Sequence, residues 1–193
     1  MTVPFLNVGA TYQELKADID AAIARVLANG YYIHGPEVVA FEEEFAAYCG
    51  AACAVGTANG LDALVLALRA LEIGPGDDVL VPSNTFIATW LAVTQVGATP
   101  VPVEPDPVTH NMDPARLTAA LTPRSKAIIP VHLYGQPADL DPILAFARAH
   151  GLAVIEDAAQ AHRAPYKGRK IGTQGDIVGW SLYPGKKLGP FGD

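Results

Sequence analysis

The sequence predicts an α/β fold, a mostly parallel sheet flanked by helices, and two observations carry that expectation. Short β-branched or apolar runs alternate with amphipathic helical segments along most of the chain, the order that parallel strand–helix–strand units require. Glycine-bearing and polar segments fall where the short runs end, and in an open parallel sheet that edge is where ligands gather. With 193 residues, half of them hydrophobic and 17% charged, the chain can bury a full core, so one domain over 1–193 is expected.

The first helix is expected from Thr11, where Thr11-x-x-Glu14 reads as a capping box. Leu15, Ile19, Ile23, Val26 and Leu27 follow at helical spacing, and Gly30 supplies the stop. A second helix is expected over 36–48. Residues 54–56 then read as a short strand leading into a helix over 59–71. Strand 79–81 leads into helix 86–96, and 100–103 follows as another strand. Strand 127–131 precedes a helix over 140–150, and 153–155 is the next strand. After a turn-rich stretch carrying Tyr166-Lys-Gly-Arg-Lys170, residues 177–182 read as a further strand. Proline-rich stretches such as 100–107 read as loops at strand ends rather than linkers, and the chain carries no internal repeat.

Charge narrows the function classes. Thirteen basic residues stand against twenty acidic ones, a formal charge of −7 with no basic tract, which argues against nucleic acid or an anionic membrane as partner. No apolar run reaches the roughly 18–20 residues that span a bilayer, and Met1-Thr-Val-Pro-Phe5 lacks the order of a secretory signal. Cys49 and Cys53 are the only cysteines; without a His/Cys cluster at zinc spacing they read as reduced thiols around a helix end. No metal is expected, and the cytoplasm is the expected compartment.

The residues with chemical promise lie at strand ends. In Gly56-Thr-Ala-Asn-Gly-Leu-Asp-Ala-Leu64 a strand end runs into a helix start, where free amides and the positive end of the macrodipole favour a phosphate. Gly60 would let the backbone approach closely, although Gly and Asn also serve there as ordinary helix-capping residues. Phe86, in Pro82-Ser-Asn-Thr-Phe-Ile-Ala-Thr-Trp90, suits stacking on a flat ring or a place in the core. Asp157, in Val154-Ile-Glu-Asp-Ala-Ala-Gln-Ala-His162, is either an N-cap over residues 158–160 or an acid at a strand tip. Lys186 and Lys187 lie between glycines in Ser181-Leu-Tyr-Pro-Gly-Lys-Lys-Leu-Gly189. An acid at a strand tip can hold a proton on a heteroaromatic nitrogen, and a lysine on a nearby loop can form an imine with an aldehyde on that ring.

These segments closely resemble the pyridoxal-phosphate-dependent sugar-nucleotide aminotransferases of the DegT/StrS family. Asn59-Gly-Leu-Asp-Ala-Leu64, residues 82–93, Pro102-Val-Glu-Pro-Asp106, Val131-His-Leu-Tyr-Gly-Gln-Pro-Ala-Asp139 and Tyr183-Pro-Gly-Lys186 carry the likeness in order, over essentially the whole chain. The resemblance implies the large domain of a fold-type I aminotransferase, with pyridoxal 5'-phosphate as cofactor. It makes Lys186, rather than Lys187, the lysine that condenses with the cofactor, and Asp157 the partner of the pyridine nitrogen. Gly60 and Leu61 would grip the phosphate, Leu61 through its amide alone where many members carry Ser or Thr. Phe86 would stack on the ring, Gln160 would contact its 3-oxygen, and Ser181 would bind the phosphate; the role of His162 is open. Lys187 stands where relatives usually have Asn, and Arg163 where they usually have Gly.

The wording is most like enzymes that aminate C3 of a nucleotide-linked 3-keto-6-deoxyhexose, with glutamate as the amino donor and a homodimer as the working form. Family chains continue for roughly as long again, so the resemblance implies an incomplete large domain with the C-terminal domain absent. Rival readings are a non-catalytic cofactor-binding regulator, an inactive piece of such an enzyme, and a sugar dehydratase or deaminase. The dehydratase branch has His in place of the lysine, so Lys186 argues against it.

Overall fold

The computed structural model describes residues 3–189; Asp193, where the expectation of a shortened chain rests, lies outside them. Its centre is a parallel sheet of five strands in the order β2-β1-β3-β4-β7. The strands are β1 (Asp78–Pro82), β2 (Thr99–Val103), β3 (Ser125–Ile128), β4 (Ala153–Asp157) and β7 (Ile177–Gly179). A small antiparallel hairpin, β5 (Pro165–Tyr166) with β6 (Arg169–Lys170), stands apart. Its two-residue turn has positive φ at both Lys167 and Gly168, the primed geometry that matches strand twist. The helices are α1 (Gly9–Glu14), α2 (Lys16–Asn29), α3 (Pro36–Cys49), α4 (Gly60–Ala70), α5 (Ile87–Gln95), α6 (Leu117–Ala120) and α7 (Leu140–His150).

Alternation along the strands makes two cores. Val79, Val81, Ala127, Ile129 and Ile155 face one way and pack with Leu64, Leu68, Ala92 and Val93 of α4 and α5. Leu80, Ile128 and Val154 face the other way, onto Leu117, Ile143 and Ala147 of α6 and α7. Because β1 is buried along its whole length, it reads as a continuous apolar run, as strands covered on both faces do. Pro100 and Pro102 lie in β2, an edge strand, the place in a sheet where a residue without an N–H is tolerated.

Several expectations are corrected. The helix expected from Thr11 begins at Gly9 and breaks at Leu15 (φ −106°, ψ 19°), and Val8, not Thr11, is the N-cap. Thr11 therefore sits inside the first turn, where it cannot close a capping box. Gly30 does end α2 in the left-handed conformation. Among the described residues, 54–56 pair with no strand; the Gly56 amide donates instead to Glu42 Oε1 at 2.6 Å, which ties the segment to α3. Strand 127–131 is β3, ending at Ile128; Pro130 lacks the donor that would extend the ladder. Strand 177–182 stops at Gly179, whose carbonyl accepts from Ala158 (2.9 Å) where β4 ends.

Candidate active site

Since every strand of the main sheet runs the same way, their C-terminal ends form one edge. Chain order reverses between β1 and β3, so the loops that follow them diverge and leave a crevice. Pro82, Asn84, Thr85, His110, Asn111, Val131 and Leu133 line a dent there that has no room for a ligand and includes none of the expected site residues.

Asp157 ends β4 and is buried. It faces the α5 side, two residues beyond Ile155 on the same face of the strand. Thr89 Oγ1 donates to its Oδ2 at 2.8 Å, and the Ala159 amide donates to its Oδ1 at 3.2 Å. Burial pushes the Asp157 carboxyl up from its ordinary range, while the Thr89 hydroxyl, the Ala159 amide and the Lys186 charge pull it back. The expected N-cap role fails for want of a helix: residues 158–164 form successive turns, with Ala161 N bonded to Ala158 O and Ala164 N to Ala161 O, both at 3.0 Å. Positive φ at Arg163 forbids a continuous helix there.

Lys186 lies half-buried in the turns that follow β7, its amide bonded to Tyr183 O at 2.7 Å. Lys187 is exposed. A Cβ at Gly135 would lie 3.5 Å from Lys187 Nζ and 3.2 Å from the Gln160 carbonyl, so this side chain covers the loop after β3. Of the two lysines, it is Lys186 whose charge acts on Asp157.

Asn59 caps α4 by accepting from the Asp62 amide at 2.9 Å, which leaves the Gly60 and Leu61 amides without an intrahelical acceptor. A Cβ at Gly60 would stand 2.8 Å from Ser181 Cβ and 3.3 Å from Ser181 Oγ. Glycine is therefore required for the serine to lie this close to the helix start, where the two amides and the Ser181 hydroxyl are neighbours. The capping reading of this turn holds, and the Gly60 and Leu61 amides stay open as the first amides of any helix do.

Phe86 is 72% exposed at the N-cap of α5, so the core-aromatic reading is not what the structure shows. Gln160 uses Oε1 to accept from the Tyr134 amide at 2.7 Å, which leaves its NH₂ as a donor. His162 is 2% exposed, tilted against Trp180, and neither ring nitrogen has a partner among the described residues. Burial, then the charges of Lys187 and Lys186, hold its pKa below the usual histidine value.

Sequence reasoning missed the groups behind Asp157. Thr89 is buried and shares a helix face with Ala92 and Val93; a hydroxyl on that apolar stripe was the available signal. His132 and Glu156, both fully buried, bond at 3.0 Å across the opposite face. The Ala138 amide can only donate and points at His132 Nδ1 (3.0 Å), so Nε2 carries the proton given to Glu156. Glu156 Oε1 accepts two further bonds, from Gln174 N (3.1 Å) and Gly175 N (2.7 Å), which makes its burial tolerable. No group of His, Cys, Asp and Glu among the described residues could hold a metal. No helix among them is long and apolar enough to cross a membrane.

Residues 13–193 match the DegT/DnrJ/EryC1/StrS aminotransferase family. The chain is 58% identical over 191 residues to the dTDP-3-amino-3,4,6-trideoxy-alpha-D-glucose transaminase of Streptomyces venezuelae, covering 99% of this chain and 50% of that protein. It superposes on the crystal structure of S. venezuelae DesV in complex with a ketimine intermediate with a TM-score of 0.97, at 58% identity, over 99% of this chain and 52% of that one. NtdA of Bacillus subtilis with bound cofactor PMP matches with a TM-score of 0.91 at 36% identity, over 99% of this chain and 43% of that one. The chain thus spans about half the length of the curated relatives it matches.

Proposed function

The chain belongs to the DegT/DnrJ/EryC1/StrS aminotransferase family, and from that premise we propose that residues 1–193 form the cofactor-binding large domain of a pyridoxal-phosphate-dependent transaminase. In this reading the enzyme works in the cytoplasm as a homodimer and aminates C3 of a dTDP-linked 3-keto-6-deoxyhexose, with glutamate as donor. The observation that carries the reading is a convergence at one end of the sheet. A buried carboxylate, the half-buried lysine of the segment after β7, and a glycine-started helix closed by a serine lie there.

These residues fit the cofactor's parts. The Gly60 and Leu61 amides with Ser181 Oγ suit its phosphate, exposed Phe86 suits its ring, the Gln160 NH₂ suits its 3-oxygen, and Asp157 suits its ring nitrogen. When bound, the cofactor supplies an aldehyde that condenses with amines and a ring that takes up electrons. Asp157 would keep a proton on the ring nitrogen, and that cationic partner would in turn favour the charged carboxylate against burial. Lys186 Nζ would hold the cofactor, and its amine, when free, would be the base and acid that moves a proton at the donor's α-carbon and at sugar C3.

The test uses the chain as it stands. It is incubated with pyridoxal phosphate, reduced with borohydride and peptide-mapped; the pyridoxyl group is expected on Lys186. An adduct on Lys187 refutes the assignment of the lysine, and no adduct refutes cofactor binding. Adding glutamate before reduction reads turnover: an adduct that disappears shows it, and one that persists shows cofactor binding without turnover, as expected of the large-domain residues by themselves or of a regulator.

A further inference from the structure

Asp157 is oriented by more than its own backbone. Thr89 is fully buried, and its hydroxyl meets two oxygens: Asp157 Oδ2 at 2.8 Å and Thr85 Oγ1 at 2.9 Å. A hydroxyl has one proton to give. An ionised Asp157 can only accept, so Thr89 donates to it, and the Thr85 hydroxyl must donate to Thr89. The hydroxyl chain then has one direction, from Thr85 through Thr89 to the carboxylate. With the Ala159 amide on Oδ1, each oxygen receives one donor and keeps a lone pair for a ligand.

We propose that Thr89, itself oriented by Thr85, is a positioning residue for Asp157: it fixes the carboxylate's orientation and favours its charged form. This rests on the reading in which Asp157 serves a ring nitrogen. A carboxylate withdrawn from water tends to take up a proton, and a protonated Asp157 would offer that nitrogen a different partner. Thr89 opposes this from inside the core, where a hydrogen bond to a charge is strong. Among the described residues, the other ionisable groups whose charge would act on Asp157 are His132, beyond the end of β3, and Lys186, from the turns after β7. His132 is engaged with Glu156 and the Ala138 amide. Threonine suits the position better than serine because its branched carbon restricts the rotamer.

The decisive measurement is the titration midpoint of the Asp157 carboxyl carbon by ¹³C NMR in the cofactor-free chain, the resonance being assigned by its loss in Asp157→Asn. Thr89→Val should raise the midpoint by about one pH unit, the worth of a hydrogen bond to a charged group. Thr89→Ser should stay near wild type, and Thr85→Val should give a smaller rise. Unmoved midpoints in both valine variants overturn the proposal, as does a serine variant that moves as far as valine. Should Thr89→Val fail to fold, half-buried Thr85→Val decides alone, by its rise or its absence. A second arm adds ¹⁵N-labelled pyridoxal phosphate: the ring nitrogen should be protonated in wild type and less so in Thr89→Val. A wild-type chain that binds no cofactor would sink the proposed function while leaving the Asp157 titration to judge Thr89.

Discussion

Asp157 concentrates opposed demands in one side chain. Its pKa is raised in the fold by burial, so the linkage sign is fixed: the protonated form is favoured by folding, and that stability is lost as pH rises through the folded value. Asp157→Asn keeps an oxygen for the Ala159 amide and removes the charge. Thermal melts at several pH values should therefore show the variant gaining on wild type as pH climbs above the ordinary carboxylate range. Its affinity for pyridoxal phosphate should fall tenfold or more; unchanged binding would leave Asp157 only its local turn. His162 has the opposite sign. Its folded pKa lies below the ordinary 6.5, so wild type should lose stability as pH falls below about 6.5, at no more than about 1.4 kcal/mol per pH unit. His162→Phe keeps a ring against Trp180 and should abolish that part of the acid sensitivity, as read by chemical denaturation at two pH values.

At the scale of elements, α4 and the segment after β7 act as a unit. Gly60→Ala suits a helix by propensity alone, yet the added carbon would stand 2.8 Å from Ser181 Cβ. The helix should persist by circular dichroism while cofactor affinity drops about tenfold, as Ser181 is pushed off the helix start. Asn59→Ala should cost about 1 kcal/mol of stability, the usual worth of a cap, because the Asp62 amide loses its acceptor. Equal stability of Asn59→Ala and wild type in urea would show that the cap is not needed to hold α4.

The whole molecule carries an uneven surface. Neither α1 nor α2 buries a residue, and Phe5, Leu6, Ile23, Leu27, Tyr31, Tyr32 and Ile33 are exposed. Clustered apolar surface of this kind drives association. Sedimentation should show an apparent mass that rises with protein concentration, and Ile23→Gln with Leu27→Gln should reduce the rise. A single monomeric mass throughout the range would count against that expectation.

The parallel sheet and its helices were legible in the residues because periodicity survives burial. Residues 140–150 repeat at helical spacing, residues 79–81 are the short apolar run that a strand covered on both faces gives, and the motif segments carried Asp157, Gly60, Ser181 and Lys186 by resemblance. The sequence also determined that Gly30 ends a helix, since the left-handed conformation it adopts is a property of that one residue. What could not be read was decided by contacts distant in sequence. Residues 54–56 are tied to α3 by Glu42 reaching the Gly56 amide, and whether Asp157 capped a helix depended on the turns that replaced it. Thr89 meets Asp157 across 68 positions, and His132 meets Glu156 across 24. Such hydrogen bonds are strong only where water is excluded, and the packing of α5 and the strands, not any local pattern, creates that exclusion.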